Sequence, residues 1–270
     1  MVDQNRPRAA RRLSHVGDVG VDRYLARVDY RGDRSSTAAN LAELQFAHLR
    51  AVPFENLDVY ARTGVRVDLD WSIPKIVDHG RGGWCFELNG AFSWLLDALG
   101  YEVTLHSARV DAGGELGPAL DHLALVVHLG GRRLLVDVGF GDSSLSPLDL
   151  DIEEPQDGIV RRARFEHAEG WVELFEEQTD GTWARQYRLD LAPRTLAEFG
   201  PRSDELQTLP GLGWTTRRFA TRATPTGRVW LLTDRLKVRD ADGVVTETPV
   251  DARDWDHLLD RHFAMRINTD

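Results

Sequence analysis

The sequence predicts an α+β fold in three consecutive parts, because its apolar pattern changes twice along the chain. Residues 21–100 show the i, i+3, i+4 spacing of helices that bury one face. Residues 101–205 contain short apolar runs separated by glycine-rich turns, as in a small barrel or sandwich. Residues 206–270 combine further strand-like runs with a final helix. We expect residues 1–20, which carry four arginines but no apolar core, to form a mobile extension.

Three helices are predicted ahead of the cysteine. The first has an apolar stripe formed by Val21, Tyr24, Leu25 and Val28. Thr37 is placed to cap the second helix, and Pro53 is suited to end it. Residues 71–79 have the pattern of a third, short helix, with Ser72 as its cap.

Apolar runs bounded by turns predict the strands of the second and third parts. In the second part these runs are Val103–Val110, His122–Leu129, Arg133–Val138, Trp171–Phe175 and Trp183–Leu189. In the third part they are Thr215–Ala223 and Arg228–Leu232, and a helical pattern follows over Ala252–Phe263.

The composition limits the possible classes of function. The chain has 270 residues, a formal net charge of -10 and a single cysteine. A chain this acidic repels phosphate backbones, so we expect no nucleic-acid partner. One cysteine can make neither an intramolecular disulfide nor a multi-cysteine zinc site, and the histidines show no ligand spacing. We therefore expect a reducing, cytoplasmic setting and no metal. No apolar run approaches the roughly 20 residues of a membrane-spanning helix.

The single cysteine, Cys85, stands at the predicted start of a helix. Gly82 and Gly83 precede it and are expected to supply unusual backbone angles. The helix has one apolar stripe that includes Cys85, and Gly100 is suited to end it. A helix N-terminus favours thiolate over thiol, and its unpaired amides can bind an oxyanion, as a catalytic cysteine requires. The alternative is a small core residue, since free cysteine is often buried.

A candidate base and its orienting carboxylate lie in one predicted hairpin, residues 122–138, which turns at a Gly-Gly pair. With a two-residue turn, Ala124 pairs with Asp137, and His122 falls on the same face as both. His122 and Asp137 are then diagonal neighbours, close enough for a ring nitrogen to meet a carboxylate. Such a contact would explain a carboxylate inside an apolar strand. Alternatively, Asp137 caps a turn and His122 is an ordinary strand-end residue.

Several motifs occur together in an order typical of one enzyme family. They are Val52-Pro53-Phe54-Glu55-Asn56-Leu57-Asp58, Arg81-Gly82-Gly83-Trp84-Cys85-Phe86-Glu87, Ala108-Arg109-Val110, His122-Leu123, Val136-Asp137-Val138-Gly139-Phe140-Gly141 and Pro147-Leu148. On these motifs the chain resembles the arylamine N-acetyltransferase family over nearly all of residues 21–267.

The resemblance implies a transglutaminase- or cysteine-protease-like fold with an N-terminal helical domain, a central antiparallel β-barrel and a C-terminal α/β lid. We place these domains at residues 21–100, 101–205 and 206–270. It also implies ping-pong transfer of an acetyl group from acetyl-CoA, through a cysteine thioester, to an aromatic amine or hydrazine. Acetyl-CoA is then a co-substrate, and no permanently bound cofactor is expected.

The same resemblance implies roles for individual residues. The family triad matches Cys85, His122 and Asp137. The positions that line its substrate pocket match Phe54, Val110 and Phe140. We assign Glu55 and Arg81 a structural role, as an ion pair that steadies the loop before the cysteine.

The chain departs from the family pattern in three respects. Asp121 stands where the family usually has threonine, and alternation along the strand points it away from His122. Residues 211–214 replace a tyrosine-rich stretch near the start of the lid, which leaves the acceptor preference open. No Walker-type loop is present, so other groups must hold the CoA phosphates. The candidates for this are Arg217, Arg218 and Arg222.

Three other functions stay open at the level of sequence. A macrolactam-forming amide synthase would use a carrier-bound acyl chain instead of acetyl-CoA. A cysteine hydrolase would pass the acyl group to water. A CoA- or aromatic-binding module would have the triad residues without activity.

Overall fold

The computed structural model describes residues 18–142, 144–225 and 227–267 of the chain. Within these ranges the helices are α1 (Asp18–Arg27), α2 (Ala38–Ala51), α3 (Leu57–Tyr60), α4 (Leu69–Val77), α5 (Cys85–Ala98), α6 (Gly200–Thr208), α7 (Gly213–Thr216) and α8 (Trp255–Phe263). The strands are β1 (Phe54–Glu55), β2 (Glu102–Val110), β3 (His122–Leu129), β4 (Arg132–Val136), β5 (Leu148–Asp149), β6 (Gln156–Asp157), β7 (Arg162–Ala168), β8 (Trp171–Glu177), β9 (Trp183–Arg194), β10 (Ala220–Ala223), β11 (Arg228–Leu231), β12 (Arg235–Arg239) and β13 (Val245–Pro249). The architecture is α+β, as predicted.

Most of the predicted extension, residues 1–17, lies outside the described residues. Its last three residues begin α1, so the extension is predicted three residues too long. Helix ends are poorly marked in sequence when the apolar stripe starts after the first turn.

The central part is an eight-stranded antiparallel sheet with the strand order β5-β4-β3-β2-β9-β8-β7-β6. It curls into a nearly closed barrel around an apolar core. Between the two edge strands, β5 and β6, the Gln156 side chain takes the place of backbone hydrogen bonds. Its Oε1 accepts from the Asp149 amide at 2.7 Å, and its Nε2 donates to the Asp149 carbonyl at 2.7 Å.

A second sheet, with the order β1-β10-β11-β12-β13, forms the lid. One face packs on α8 through Trp255 and Leu259, which share a buried cluster with Leu231. Its edge strand β1 comes from the helical part, where Phe54 pairs with Thr221 of β10. The lid is therefore joined by backbone hydrogen bonds to the segment that precedes the cysteine helix.

Helix α5 is buried on every side from Cys85 to Leu96. The sequence predicted a single buried stripe, which is wrong because α1 and α4 contact one side of the helix and β2 and β3 the other. Burial all round explains why this helix is almost free of charged residues. Helix α6 crosses position 205, so residues on both sides of that boundary share one helix.

Two local predictions differ from the structure. The cap of α4 is Asp68, whose carboxylate accepts from the Trp71 amide at 2.7 Å, whereas Ser72 lies buried inside the helix. The strand predicted from Thr215 begins only at Ala220. Thr215 and Thr216 belong to α7 instead, where the Thr215 hydroxyl donates to the Leu212 carbonyl at 3.2 Å. None of the helices in the described ranges is long and apolar enough to cross a bilayer.

Candidate active site

The loop before Cys85 is fixed by contacts that only glycine permits. A Cβ on Gly82 would lie 2.0 Å from the Pro53 carbonyl oxygen, and one on Gly83 would lie 2.6 Å from Glu87 Oε2. Neither glycine has a positive φ, so the predicted unusual backbone angles are wrong. The close approach of the Pro53 backbone explains Gly82, and the close approach of the Glu87 side chain explains Gly83. The loop thereby delivers Cys85 to the first position of α5.

The start of α5 is surrounded by buried charges. Glu87 Oε2 accepts from the Trp84 amide at 3.2 Å, and its Oε1 accepts from Lys75 Nζ at 2.8 Å and from Trp71 Nε1 at 2.9 Å. Burial raises the pKa of Glu87, and Lys75 acts in the opposite direction. The Glu87 and Leu88 amides both donate to the Trp84 carbonyl at 3.0 Å, which leaves the Cys85 and Phe86 amides as the first-turn donors with no intrahelical acceptor.

The predicted ion pair between Glu55 and Arg81 is present. Glu55 Oε1 accepts from Arg81 Nε at 3.1 Å and from Nη2 at 2.8 Å, and the Glu55 side chain is fully buried. Arg81 Nη2 also contacts Asp58 at 3.2 Å. Because Glu55 belongs to β1, the pair links the loop before Cys85 to the lid sheet.

The predicted contact between His122 and Asp137 is also present. Leu129 pairs with Arg132 across a two-residue turn whose glycines have φ of +60° and +80°. This register places both side chains on one face, as the parity argument requires. His122 Nε2 lies 2.7 Å from Asp137 Oδ2, and both residues are buried.

The hairpin reaches Cys85, which the sequence could not establish. A Cβ on Gly139 would lie 2.7 Å from the Cys85 Cα, so the loop after Asp137 touches the start of α5. Cys85 interacts with His122 closely enough to raise the pKa of the imidazole. Since Asp137 occupies Nε2, Nδ1 is the ring nitrogen left for the thiol. Cys85, His122 and Asp137 therefore form one continuous chain of contacts.

Two further side chains hold Asp137, and sequence reasoning missed both. Asn89 Nδ2 donates to Asp137 Oδ1 at 2.9 Å and to the Leu123 carbonyl at 2.6 Å, and its Oδ1 accepts from the Val138 amide at 2.9 Å. The Tyr187 hydroxyl donates to Asp137 Oδ2 at 3.2 Å. A poor helix former one turn after the cysteine was a usable signal for Asn89. No such signal marks Tyr187 in the sequence, because this residue lies on β9, 50 residues after Asp137.

The electrostatics of this chain favour a charged histidine. Burial disfavours the charged form of His122, but Asp137 and Cys85 outweigh it and raise the pKa of His122 to about 10. Burial likewise opposes ionisation of Asp137, and His122, Asn89 and the Gly139 amide together lower its pKa. A proton that leaves the Cys85 thiol is therefore readily accepted by the imidazole.

Comparisons with known proteins identify the family. A family model described as N-acetyltransferase matches residues 37–270. The pineal gland isozyme NAT-3 of arylamine N-acetyltransferase from Gallus gallus is 32% identical over 231 residues, covering 77% of this chain and 79% of that protein. The chain belongs to the arylamine N-acetyltransferase family. It is accordingly an acyltransferase.

Solved structures of family members have the same fold. The arylamine N-acetyltransferase of Nocardia farcinica superposes with a TM-score of 0.84 at 32% identity, covering 92% of this chain and 89% of that one. The enzyme of Mycobacterium marinum in complex with CoA gives 0.84 at 27% identity, covering 91% and 92%. The family relation thus extends to a structure that binds CoA.

The family resemblance implies three pocket residues. Two of them, Phe54 and Phe140, lie at the loop that follows Asp137. The Phe140 ring centroid is 5.1 Å from that of His122. Phe54 lies against the next residue, Gly141, where a Cβ would be 3.3 Å from its ring. Gly141 has a φ of +89°, which suits glycine in this tight loop. Val110 ends β2 opposite Tyr187. Their roles as pocket lining stay a prediction.

A cleft of about 650 Å³ opens beside Phe54, between α7 and the turn from β11 to β12. Its wall includes Trp214 and Phe219, whose rings lie 6.1 Å and 5.6 Å from the Phe54 ring. Asn56 holds this wall: its Nδ2 donates to the carbonyls of Trp214 and Arg217, and its Oδ1 accepts from the Phe219 amide. Cys85 and His122 do not line the cleft.

The structure also shows where Asp121 and the three arginine candidates for CoA binding lie. Asp121 Oδ1 accepts from Arg202 Nε at 3.0 Å and from Nη2 at 2.6 Å, so it contacts an α6 arginine. Arg217 and Arg218 line the cleft beside Phe54, whereas Arg222 does not. Arg222 lies over the Phe263 ring of α8, because β10 directs it to the other face of the lid sheet.

Proposed function

We propose that the enzyme transfers an acetyl group from acetyl-CoA to an aromatic amine or hydrazine through a thioester on Cys85. The observation that carries the proposal is the buried chain from Cys85 through His122 to Asp137 at the start of α5. It combines a nucleophile, a base and an orienting carboxylate.

In the first half-reaction, His122 accepts the Cys85 proton and the thiolate attacks the acetyl carbonyl carbon of acetyl-CoA. The tetrahedral intermediate carries an oxyanion, and amides of the first turn of α5 are suited to stabilise it. The bond between the acetyl carbon and the CoA sulfur then breaks. The imidazolium returns its proton to the CoA thiolate, which leaves as the thiol.

In the second half-reaction, an amine attacks the acetyl carbon of the thioester. His122 takes the amine proton, the carbon–sulfur bond to Cys85 breaks, and the proton passes to the cysteine thiolate. Acetyl transfer is then complete and the enzyme returns to its starting state. Asp137 holds the imidazole in one orientation during both half-reactions and stabilises its charged form.

The surroundings support an aromatic acceptor and a CoA donor. Phe140 beside His122 and Phe54 beside Gly141 provide apolar ring faces near the proposed base. The neighbouring cleft carries Arg217 and Arg218, whose guanidinium groups are suited to phosphate. Both features favour acetyl transfer to an arylamine over the hydrolase and amide-synthase alternatives.

Intact mass spectrometry tests the proposal directly. The enzyme is mixed briefly with acetyl-CoA in the absence of amine, and a Cys85→Ala variant is treated in parallel. We expect a gain of one acetyl group in the native chain only, which disappears when aniline is added. Absence of this gain would contradict the thioester mechanism, and a gain retained after aniline would contradict the acceptor class.

A Cys85→Ser variant sharpens the test, because it keeps the size and polarity of the side chain but not the thiolate. We expect it to lose nearly all transfer while folding normally. Near-native transfer by this variant would contradict the role of Cys85.

A further inference from the structure

Asp142 lies directly after the loop that carries Asp137 and Phe140, and it is surrounded by arginines. Arg239 Nη1 donates to its Oδ2 at 2.9 Å and Nη2 to its Oδ1 at 2.7 Å. Arg161 Nη2 donates to Oδ2 at 3.1 Å, and Arg228 Nε lies 3.0 Å from Oδ1. One carboxylate thus contacts three guanidinium groups.

These arginines come from both sides of the molecule. Arg228 of β11 and Arg239 of β12 belong to the lid, and they are direct cross-strand partners. Arg161 immediately precedes β7 of the barrel, and its Nη1 donates to Glu176 of β8 at 3.2 Å. We call Asp142, Arg161, Glu176, Arg228 and Arg239 the Asp142 cluster. It joins the catalytic loop, the barrel and the lid at one point.

Two arginines of the lid sheet, Arg228 and Arg239, face each other and require a negative charge from another part of the molecule to balance them. Arg228 and Arg239 stand directly opposite each other with only 2% and 6% of their surface exposed. Like charges at opposed positions repel, and water is not present in bulk to screen them. Burial lowers the pKa of Arg228 to about 10, so Arg228 still carries its charge at neutral pH. Asp142 supplies the charge that lets this pair stay buried.

The cluster also continues to the wall of the substrate pocket. Arg228 Nη1 donates to Thr221 Oγ1 at 3.3 Å, and Thr221 is the cross-strand partner of Phe54. Gly141, the neighbour of Asp142, contacts the Phe54 ring. The distance between Phe54 on β1 and Phe140 on the catalytic loop therefore depends on how the loop is held to the lid.

We propose that Asp142 is a positioning residue for the acceptor pocket, which holds the lid against the catalytic loop by neutralising Arg228 and Arg239. The contacts of His122 and Asp137 with Cys85, Asn89 and Tyr187 do not pass through Asp142. Loss of its charge should therefore weaken acceptor binding and leave the chemical steps intact. The proposal rests on the acetyl transfer proposed above.

The test is the Asp142→Asn variant, with Asp151→Asn as the matched control. Asp151 also pairs with an arginine, Arg133, but on the exposed surface of the barrel. For Asp142→Asn we expect KM for aniline to rise at least about tenfold with kcat within about twofold, the pattern of lost binding without lost chemistry. Asp151→Asn should change neither constant. An unchanged KM, or an equal change in both variants, would overturn the proposal.

Two further variants separate positioning from a general loss of structure. Asp142→Glu keeps the charge and should recover most of the native KM. Adding Arg239→Gln to Asp142→Asn removes the opposed cation and should lower KM again, because the repulsion between the two lid arginines is gone. A double variant worse than Asp142→Asn would contradict the charge argument.

Hydrogen exchange distinguishes this proposal from the proposed function. In Asp142→Asn the amides of β10 and β11 should exchange faster than in the native chain, while those of α5 stay unchanged. Native-like exchange in β10 and β11 would overturn the positioning role. Failure of the proposed function would instead be seen in the native enzyme, as an absent acetyl-cysteine, whatever residue stands at position 142.

Discussion

The proposed catalytic centre and the lid are held in place in different ways. His122 and Asp137 come from one hairpin, and Asp137 also accepts bonds from Asn89, Tyr187 and the Gly139 amide. The lid meets the rest of the molecule through the backbone pairing of β1 with β10, through apolar contacts and through a few polar anchors. These anchors are Asn56, Glu55 and Asp142. We therefore expect substitutions in the centre to act on chemistry and those at the anchors to act on binding and stability.

The largest expected effect comes from Asp137→Asn, which breaks the catalytic centre without changing its shape. The amide cannot stabilise a charged His122 or fix its tautomer, so kcat/KM should fall by roughly 10⁴-fold. Steady-state kinetics with aniline and acetyl-CoA measure this fall. The control is Asp149→Asn, another buried carboxylate of the barrel, which accepts from Arg132 at 2.6 Å and should change kcat/KM only slightly. More than a tenth of native activity in Asp137→Asn would contradict the assigned role.

The second largest effect is expected for Arg81, whose ion pair with Glu55 links the loop before Cys85 to the lid sheet. Arg81→Ala leaves the fully buried carboxylate of Glu55 without its main cation, and such a break costs about 3–5 kcal/mol in the free energy of unfolding. Urea denaturation measures the cost. Arg133→Ala is the control, since its partner Asp151 is half-exposed and the change should cost about 1 kcal/mol at most. An Arg81→Ala variant that is as stable as native and forms the thioester normally would contradict the structural role of the pair.

A smaller effect, on the pH dependence of stability, tests the Asp142 cluster where the barrel meets the lid. Burial raises the pKa of Glu176 from 4.5 to about 7, and Arg161 only partly opposes this. The folded protein thus holds a proton that the unfolded chain releases between these values. Native stability should fall as the pH rises through this window. Glu176→Gln lacks the titration, so its stability relative to native should rise by about 3 kcal/mol from pH 4.5 to 7.

The neighbouring Glu177 provides the control for this pH experiment. Its hydrogen bonds from Arg162 lower its pKa, which is the opposite shift. Glu177→Gln should therefore not reproduce the gain with rising pH. Urea midpoints at a series of pH values compare the three proteins. Parallel curves for native and Glu176→Gln would contradict the raised pKa.

The sequence predicted the contacts of the proposed catalytic centre better than those of the lid, for a physical reason. The hairpin contact follows from turn length and strand alternation, which are local rules, and the place of Cys85 follows from the glycines and helix start around it. The lid depends on contacts between distant segments. Asn56 bonds to carbonyls about 160 residues away, and no local pattern marks that pairing. The strand predicted at Thr215 failed for the same reason, since helix α7 and the Asn56 contacts occupy that stretch.

The smallest expected effect comes from Tyr187→Phe, which removes one of several donors to Asp137. The Tyr187 ring still packs on His122 and Phe140, at 5.4 Å and 5.0 Å between centroids, so the shape of the site is kept. Losing one hydrogen bond costs about 1 kcal/mol, or roughly a fivefold fall in kcat/KM. Tyr187→Leu, which also removes the ring, should fall further. If both variants fall equally, the ring is not needed and the hydroxyl alone matters. A fall near that of Asp137→Asn would mean that Asp137 depends on this donor and is not held redundantly.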